Sequence, residues 1–232
     1  VNLLSGIHFQ QQKDSPSNMY VVGIDLSGPS NKDDTAVVAF RMQKDRLQLV
    51  EAHCGVDDHF LFDLFQQWTV REEVVAGIDA PLSYNVGGGD RPGDTRLRTA
   101  IIAAGLLPGS VMVPTLTRMV YLTLRGMAVA RLLQALAPRN PSIVEVHPGA
   151  AFALRGGPVQ QILSFRKKKQ ARYNLLLWLE RQGVEGVSTS EDPGSHYVAA
   201  CSCALAAWKW SLNQSVWLEE AAPPFHPFDF AC

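Results

Sequence analysis

The chain has 232 residues, a length that fits one large domain or one domain with a sizeable insertion. Its 21 lysines and arginines nearly balance its 22 acidic residues, which excludes a general electrostatic attraction to nucleic acid or anionic membranes and leaves only local patches for such binding. No apolar run approaches the roughly 18 residues of a membrane span, so we expect no membrane partner.

The first half of the chain predicts three antiparallel strands, a crossover helix and a fourth strand. Residues 1–18 are interpreted as an N-terminal extension that precedes a single domain over 19–215. Short apolar or alternating runs separated by turn residues are typical of strands, whereas apolar residues at helical spacing indicate a helix. The predicted elements are strands over 20–26, 35–42 and 46–54, a helix over 59–70 and a strand over 72–81. Because it follows a crossover, the last strand should lie parallel to the first.

The second half predicts a helical insertion, one more strand and two long helices. The insertion covers about residues 82–140 and begins with a glycine-rich loop. The proline at 148 should stop the next strand, and residues 216–232 form a proline-rich tail that either docks on the surface or frays. The predicted elements are helices over 94–104 and 116–136, a strand from 142, and helices over 167–183 and 195–212.

Two strands end in the same tripeptide, Gly-Ile-Asp, with Asp25 and Asp79 as their final residues. An aspartate at a strand end has a simple structural explanation, since it can hydrogen-bond the backbone of the following turn. If the two strands are parallel neighbours, however, both aspartates meet at one sheet edge, where ligands bind in open α/β sheets. Two adjacent negative charges favour a cation between them.

A third carboxylate, Glu145, stands within the apolar strand sequence Ile-Val-Glu-Val. An unpaired carboxylate in a buried strand would cost several kcal/mol, so it requires either an arginine or a metal ion as partner. Carboxylate oxygens suit Mg²⁺ or Mn²⁺, which usually bind one or two carboxylates together with water and phosphate. The pattern favours Asp25, Asp79 and Glu145 as metal ligands, with a salt bridge of Glu145 as the alternative.

Several dispersed motifs together resemble the domain of unknown function 429 family. They are "GIDLSG", "GIDAPLS", "RPGDTRLR", "LTLRGMAVARLL", "VEVHPGAAF" and "CALAAW", in that order over about residues 20–210. The family is regarded as predicted nucleases of the ribonuclease H-like fold. The resemblance therefore implies a five-stranded mixed sheet of order 3-2-1-4-5 and metal-dependent attack of water on a nucleic-acid phosphodiester. It also implies that Asp25 and Asp79 are metal ligands, with Glu145 as a further acidic or positioning residue.

The last helix departs from the family pattern. Members of the family usually have an aspartate in this helix, whereas this chain has Ala199 at the corresponding position. His196 lies one helical turn earlier on the same face and is the candidate substitute, as a ligand or a base. The alternatives are that His196 has no role and that the chain is a degenerate relative which binds nucleic acid or a protein. An actin-like or sugar-kinase-type phosphotransferase is disfavoured, because that architecture requires two such lobes.

Substrate contacts are expected from basic and polar residues near these carboxylates. The basic candidates also have structural explanations: Arg98 could pair with Asp94 on a solvated helix, and the run over 166–172 could be the exposed face of a helix. The substrate-binding candidates are Ser27, Arg91, Arg98, Arg125 and Lys168.

The four cysteines show neither a Cys-x-x-Cys pair nor histidines at zinc-site spacing. Free thiols are the default in a reducing compartment, so the sequence predicts a cytoplasmic location.

Overall fold

One mixed sheet of eight strands organises the described part of the chain, residues 19–189 and 193–232 of a computed structural model. The strand order is β6-β3-β2-β1-β4-β5-β8-β7, with β2 and β7 antiparallel to their neighbours and the remaining pairs parallel. The strands are β1 (Met19–Asp25), β2 (Ala36–Gln43), β3 (Arg46–Cys54), β4 (Glu73–Asp79), β5 (Ser142–Val146), β6 (Val184–Glu185), β7 (Leu218–Glu219) and β8 (Phe230–Ala231).

The mixed α/β architecture predicted from the sequence is confirmed, and β4 is parallel to β1 as expected. The prediction of five strands is incomplete, because three strands of two residues each extend the sheet at both edges. Such strands are too short to show an alternating pattern, so their sequences carry no usable strand signal. The interpretation of residues 1–18 as an extension lies outside the described residues.

Seven α-helices cover the two faces of the sheet within the described ranges. The first and third helices pack on one face, and the others pack on the opposite face. Among the described helices, none combines the length and apolarity needed to cross a bilayer. The helices are α1 (Asp58–Thr69), α2 (Pro92–Ala103), α3 (Met119–Gln134), α4 (Pro148–Leu154), α5 (Val159–Ser164), α6 (Lys169–Arg181) and α7 (Ser195–Ser211).

Local sequence explains where most of these helices begin. Asp57 caps α1, since its Oδ1 accepts a hydrogen bond from the backbone N–H of Phe60 over 2.9 Å. Pro148 occupies the first turn of α4, where its missing N–H costs no helical hydrogen bond. The sequence predicts neither α4 nor α5, because helices of seven and six residues have too few turns to show an apolar period.

The C-terminal segment docks against the sheet. Its strand β8 pairs with β5, and β7 pairs with β8. The indole Nε1–H of Trp210 donates to Asp229 Oδ2 over 2.8 Å, and the backbone N–H of Ala221 donates to Asp229 Oδ1 over 2.7 Å. Of the two alternatives for the tail, docking on the domain is therefore the arrangement seen.

Candidate functional site

The ends of β1 and β4 bring Asp25 and Asp79 side by side. The two strands pair in register, with Gly23 opposite Gly77 and Asp25 opposite Asp79. Asp25 is only 3% exposed, and Asp79 is partly accessible at the strand end. Their carboxyl groups are within hydrogen-bonding reach of each other. The two Gly-Ile-Asp sequences therefore form two halves of one acidic pair.

Burial disfavours a full negative charge on this pair. Desolvation raises the pKa of Asp25 from its ordinary 3.8 to about 6, although the hydrogen bond from Asp79 and the charge of Arg166 oppose the rise. Desolvation and the charge of Asp25 together raise the pKa of Asp79 well above its usual range. The pair therefore keeps a proton to higher pH than two exposed aspartates would.

Glycines in both strands allow α7 to pack directly above this pair. A Cβ atom on Gly23 would lie 1.9 Å from the carbonyl oxygen of Ala200, and one on Gly77 would lie 2.5 Å from that of Cys203. No side chain fits such spaces, so these glycines are required by helix packing. Because residues two apart share a strand face, the aspartates that follow point to the same side as the glycines, towards the α7 N-terminus.

His196, in the first turn of α7, completes the contact between helix and strand. Its Nδ1 lies 2.6 Å from Asp25 Oδ2, and its Nε2 lies 3.7 Å from Asp34 Oδ1. Burial lowers the pKa of His196, while the negative charge of Asp34 opposes that change. A neutral imidazole that donates from Nδ1 to Asp25 keeps its Nε2 lone pair available.

Two charged residues near the pair were not identified as site residues from the sequence. Asp34, in the 3₁₀ turn Pro29–Asp34, faces His196 and raises the pKa of Asp25. Arg166 is exposed, and its positive charge lowers the pKa of both Asp25 and Asp79. No sequence signal marks Asp34, whereas Arg166 begins the basic run over 166–172, and nothing in that run indicates that it lies near the pair.

Glu145 lies away from the acidic pair. It is in register with Ile78, and since successive strand residues point to opposite faces, its side chain lies on the other side of the sheet from Asp79. Both carboxylate oxygens accept from the guanidinium of Arg91, over 2.5 and 2.8 Å, and one also accepts from the backbone N–H of Leu82. The salt bridge that the sequence left as the alternative is thus formed, and the metal-ligand interpretation of Glu145 has no support in its position.

Arg91 makes all of its side-chain hydrogen bonds within the protein. It is 6% exposed, and besides Glu145 its guanidinium donates to both oxygens of Asp94 and to Ser83. All of its donor positions therefore have protein partners, which leaves none for a substrate phosphate. Its own charge is retained, because the two carboxylates raise its pKa against the effect of burial.

The remaining substrate-binding candidates divide between structural and exposed positions. Arg98 forms a bidentate pair with Asp90, in place of the Asp94 partner considered from the sequence. Arg125 is buried and donates to the Ser27 carbonyl and hydroxyl oxygens, so it connects α3 to the loop after Asp25. Lys168 is exposed at the N-cap of α6. Among these candidates, Lys168 alone has an exposed cationic group.

The residues present would suit a small divalent cation only in part. Asp25 and Asp79 offer oxygen ligands, yet within residues 19–189 and 193–232 no group of three or more histidines, cysteines or acidic residues is placed to hold a metal ion. Ala199, on the face of α7 that carries His196, is fully buried and supplies only a methyl group, which cannot bind a metal ion. Two carboxylates with water and phosphate would still satisfy Mg²⁺.

Comparison with other proteins assigns the family. A family model described as "Protein of unknown function (DUF429)" matches residues 23–222, a range that contains both aspartates of the pair, the Arg91–Glu145 contact and all of α7. Comparison with curated proteins and with solved structures finds no match. Because the family model covers most of the 232 residues, the chain belongs to the DUF429 family.

Proposed function

We propose that this chain is a divalent-metal-dependent hydrolase of nucleic-acid phosphodiesters, with Mg²⁺ or Mn²⁺ held between Asp25 and Asp79. The observation that carries the proposal is the acidic pair itself: two carboxyl groups in register at the ends of parallel strands, with raised pKa values. Perturbed carboxyl pairs at strand ends are typical of functional sites. The central strand order β3-β2-β1-β4-β5 supports the assignment to a ribonuclease H-like fold.

The raised pKa values of the pair support a cation site. In the absence of a metal, a shared proton relieves the repulsion between Asp25 and Asp79. A bound cation would take the place of that proton, so binding should release it and should strengthen as pH rises above about 6. When bound, the cation would polarise a phosphoryl oxygen and lower the pKa of coordinated water. Glu145 is not part of the proposed site.

His196 is the proposed general base. Its Nδ1–H donates to Asp25, which fixes the ring and leaves Nε2 to accept a proton from water. The lowered pKa of His196 keeps this nitrogen unprotonated at neutral pH. Asp34, at 3.7 Å from Nε2, would stabilise the imidazolium that proton transfer creates.

A basic loop beside the pair supports a polyanionic substrate. Arg166, Lys167 and Lys168 are consecutive and exposed between α5 and α6. The charge of Arg166 lowers the pKa of both aspartates, so the loop borders the proposed site. Lysine and arginine contacts to phosphates supply most of the sequence-independent affinity for nucleic acid. We also propose a cytoplasmic location, supported by the four cysteines being free thiols, three of them buried.

A second candidate function is supported by Ala199. Without a carboxylate from α7, the chain would bind nucleic acid or a protein partner and not cleave it. Its methyl group has no atom that binds a metal ion, and the residue is 0% exposed and packed in the core.

Cleavage of a mixed panel of single-stranded, duplex, hybrid and branched nucleic acids in Mn²⁺ separates these functions. We expect cleavage by the wild type and by Asp63→Asn, an exposed aspartate on α1. Asp25→Asn should abolish it, and His196→Ala should slow it by about 10²–10⁴-fold. Binding without cleavage in the wild type would favour the second candidate. Equal cleavage by Asp25→Asn would contradict the proposed hydrolase.

A further inference from the structure

Helix α3 is apolar on two opposite faces. Its inner face packs on the segment that follows β4: a Cβ atom on Gly126 would lie 2.7 Å from the Cβ of Ala80 and 2.9 Å from the carbonyl oxygen of Pro81. Val129 and Leu133 continue this face into the core that α3 shares with α1. The inner face therefore holds the helix on the domain.

The outer face of α3 carries an apolar stripe, which consists of Tyr121, Leu124, Ala128 and Leu132. These residues are spaced by three, four and four positions, so they lie in one row along the helix. Tyr121 is 60% exposed and Leu124 is 58% exposed. A helix that is apolar all round is normally buried on all sides. The stripe thus has the character of a contact surface that no described residue covers.

The charged residues of the chain segment that carries the stripe all have one sign. Between Asp94 and Glu145 the sequence contains six arginines and no acidic residue or lysine. Arg118 and Arg131 on or beside α3 and Arg139 beyond it are exposed, and none forms an ion pair with a residue of the described part. The other three arginines of this segment are paired with Glu219, Asp90 and Asp58. The stripe is therefore bordered by arginines that have no acidic partner among the described residues.

We propose that the outer face of α3 binds an acidic amphipathic helix of another protein. A row of one apolar residue per turn is the surface that one helix presents to another in a helix pair. A second helix would pack its own row of leucines or similar residues against it. Acidic residues beside that row would meet Arg118 and Arg131, so charge complementarity selects the partner. The inference does not depend on the proposed hydrolase.

Three other occupants fit the surface less well. A second copy of this chain would bring the same arginines against Arg118 and Arg131, and the like charges would repel one another. A single-stranded nucleic acid would need several stacking rings, whereas Tyr121 is the one aromatic residue of the stripe. A bilayer would need a broad apolar face, and the stripe is one row wide.

The proposal is tested with the full chain and two labelled synthetic helical peptides in fluorescence anisotropy. Both peptides carry a leucine row, flanked in one by glutamates and in the other by lysines. We expect the glutamate peptide to bind, with affinity that falls as salt rises. Leu124→Glu should weaken binding by about tenfold or more, because it removes a buried leucine from the contact. Leu163→Glu, the same change at a 43% exposed position on α5, should leave binding unchanged.

Charge reversal sharpens the test. The double variant Arg118→Glu with Arg131→Glu should lose the glutamate peptide and gain the lysine peptide, whereas a purely hydrophobic contact would bind both peptides equally. The proposal is overturned if the glutamate peptide does not bind, or if Leu163→Glu weakens it as much as Leu124→Glu. It is also overturned if Leu124 is instead required for self-association in sedimentation, for binding of a single-stranded oligonucleotide, or for binding to phosphatidylserine vesicles.

Discussion

Replacing Asp25 with asparagine should make the metal-free protein more stable at neutral pH. Asparagine reproduces the protonated carboxyl group: its amide can donate to Asp79, and its oxygen can accept from His196 Nδ1. The folded state raises the pKa of Asp25 from 3.8 to about 6, so between these values the folded protein binds more protons than the unfolded chain. Stability therefore falls as pH rises through this window.

The size of this effect follows from the pKa shift. Each pKa unit corresponds to about 1.4 kcal/mol, so the shift of Asp25 costs about 3 kcal/mol once the pH exceeds its folded pKa. Asp25→Asn should match the wild type at about pH 4 and exceed it by up to about 3 kcal/mol at about pH 7.5. A divalent cation at a hundredfold excess over its Kd should restore about 2.7 kcal/mol to the wild type and none to the variant.

Urea denaturation in the presence of a chelator, repeated across this pH range, measures the difference directly. Asp63→Asn serves as the control, because that aspartate is exposed on α1 and its stability curve should run parallel to the wild type. Curves for Asp25→Asn and the wild type that remain parallel from about pH 4 to about pH 7.5 would refute the reasoning. They would mean that Asp25 is not desolvated in the folded protein.

Two further substitutions test the packing that positions the site. Gly23→Ala should lower the free energy of unfolding, measured in urea, by at least about 1–3 kcal/mol, because the added Cβ meets the backbone of α7. Gly28→Ala should change it by under about 0.5 kcal/mol, because no atom lies within 4 Å of the added Cβ. Equal effects of the two substitutions would contradict the contact. Arg91→Met should lower the free energy of unfolding by about 3–5 kcal/mol, since it leaves the buried carboxylates of Glu145 and Asp94 without their arginine. Arg46→Met, in an exposed ion pair, should cost under about 1 kcal/mol; a similar loss from both arginines would show that the buried network is not the cause.

The adjacency of Asp25 and Asp79 could be predicted from the sequence. Two strands with the same ending and a crossover between them are expected to be parallel, and the register of β1 and β4 then fixes which residues meet. The place of His196 beside the pair could also be predicted, because it lies one helical turn before Ala199, at the position where the family resemblance implies a site residue. The glycines of Gly-Ile-Asp allow α7 to pack on β1 and β4, and this role follows from their distances to the α7 backbone, which the sequence does not contain.

The partner of Glu145 could not be predicted, for a physical reason. A buried carboxylate requires a cation, but the sequence does not specify which one, and Arg91 lies 54 residues away along the chain. The same holds for Asp34, since its approach to His196 depends on the path of a short 3₁₀ turn. Long-range pairing of this kind is set by how loops are anchored, here by Arg125 on Ser27, and not by any local period.

Calorimetric titration of Mn²⁺ into the metal-free chain tests the central claim most directly. We expect wild type and Asp63→Asn to bind Mn²⁺, with affinity that rises with pH as the acidic pair loses its proton, and both Asp25→Asn and Asp79→Asn to lose this binding. Mn²⁺ affinity in Asp25→Asn and Asp79→Asn equal to that of the wild type would contradict the assignment of the acidic pair as a metal site.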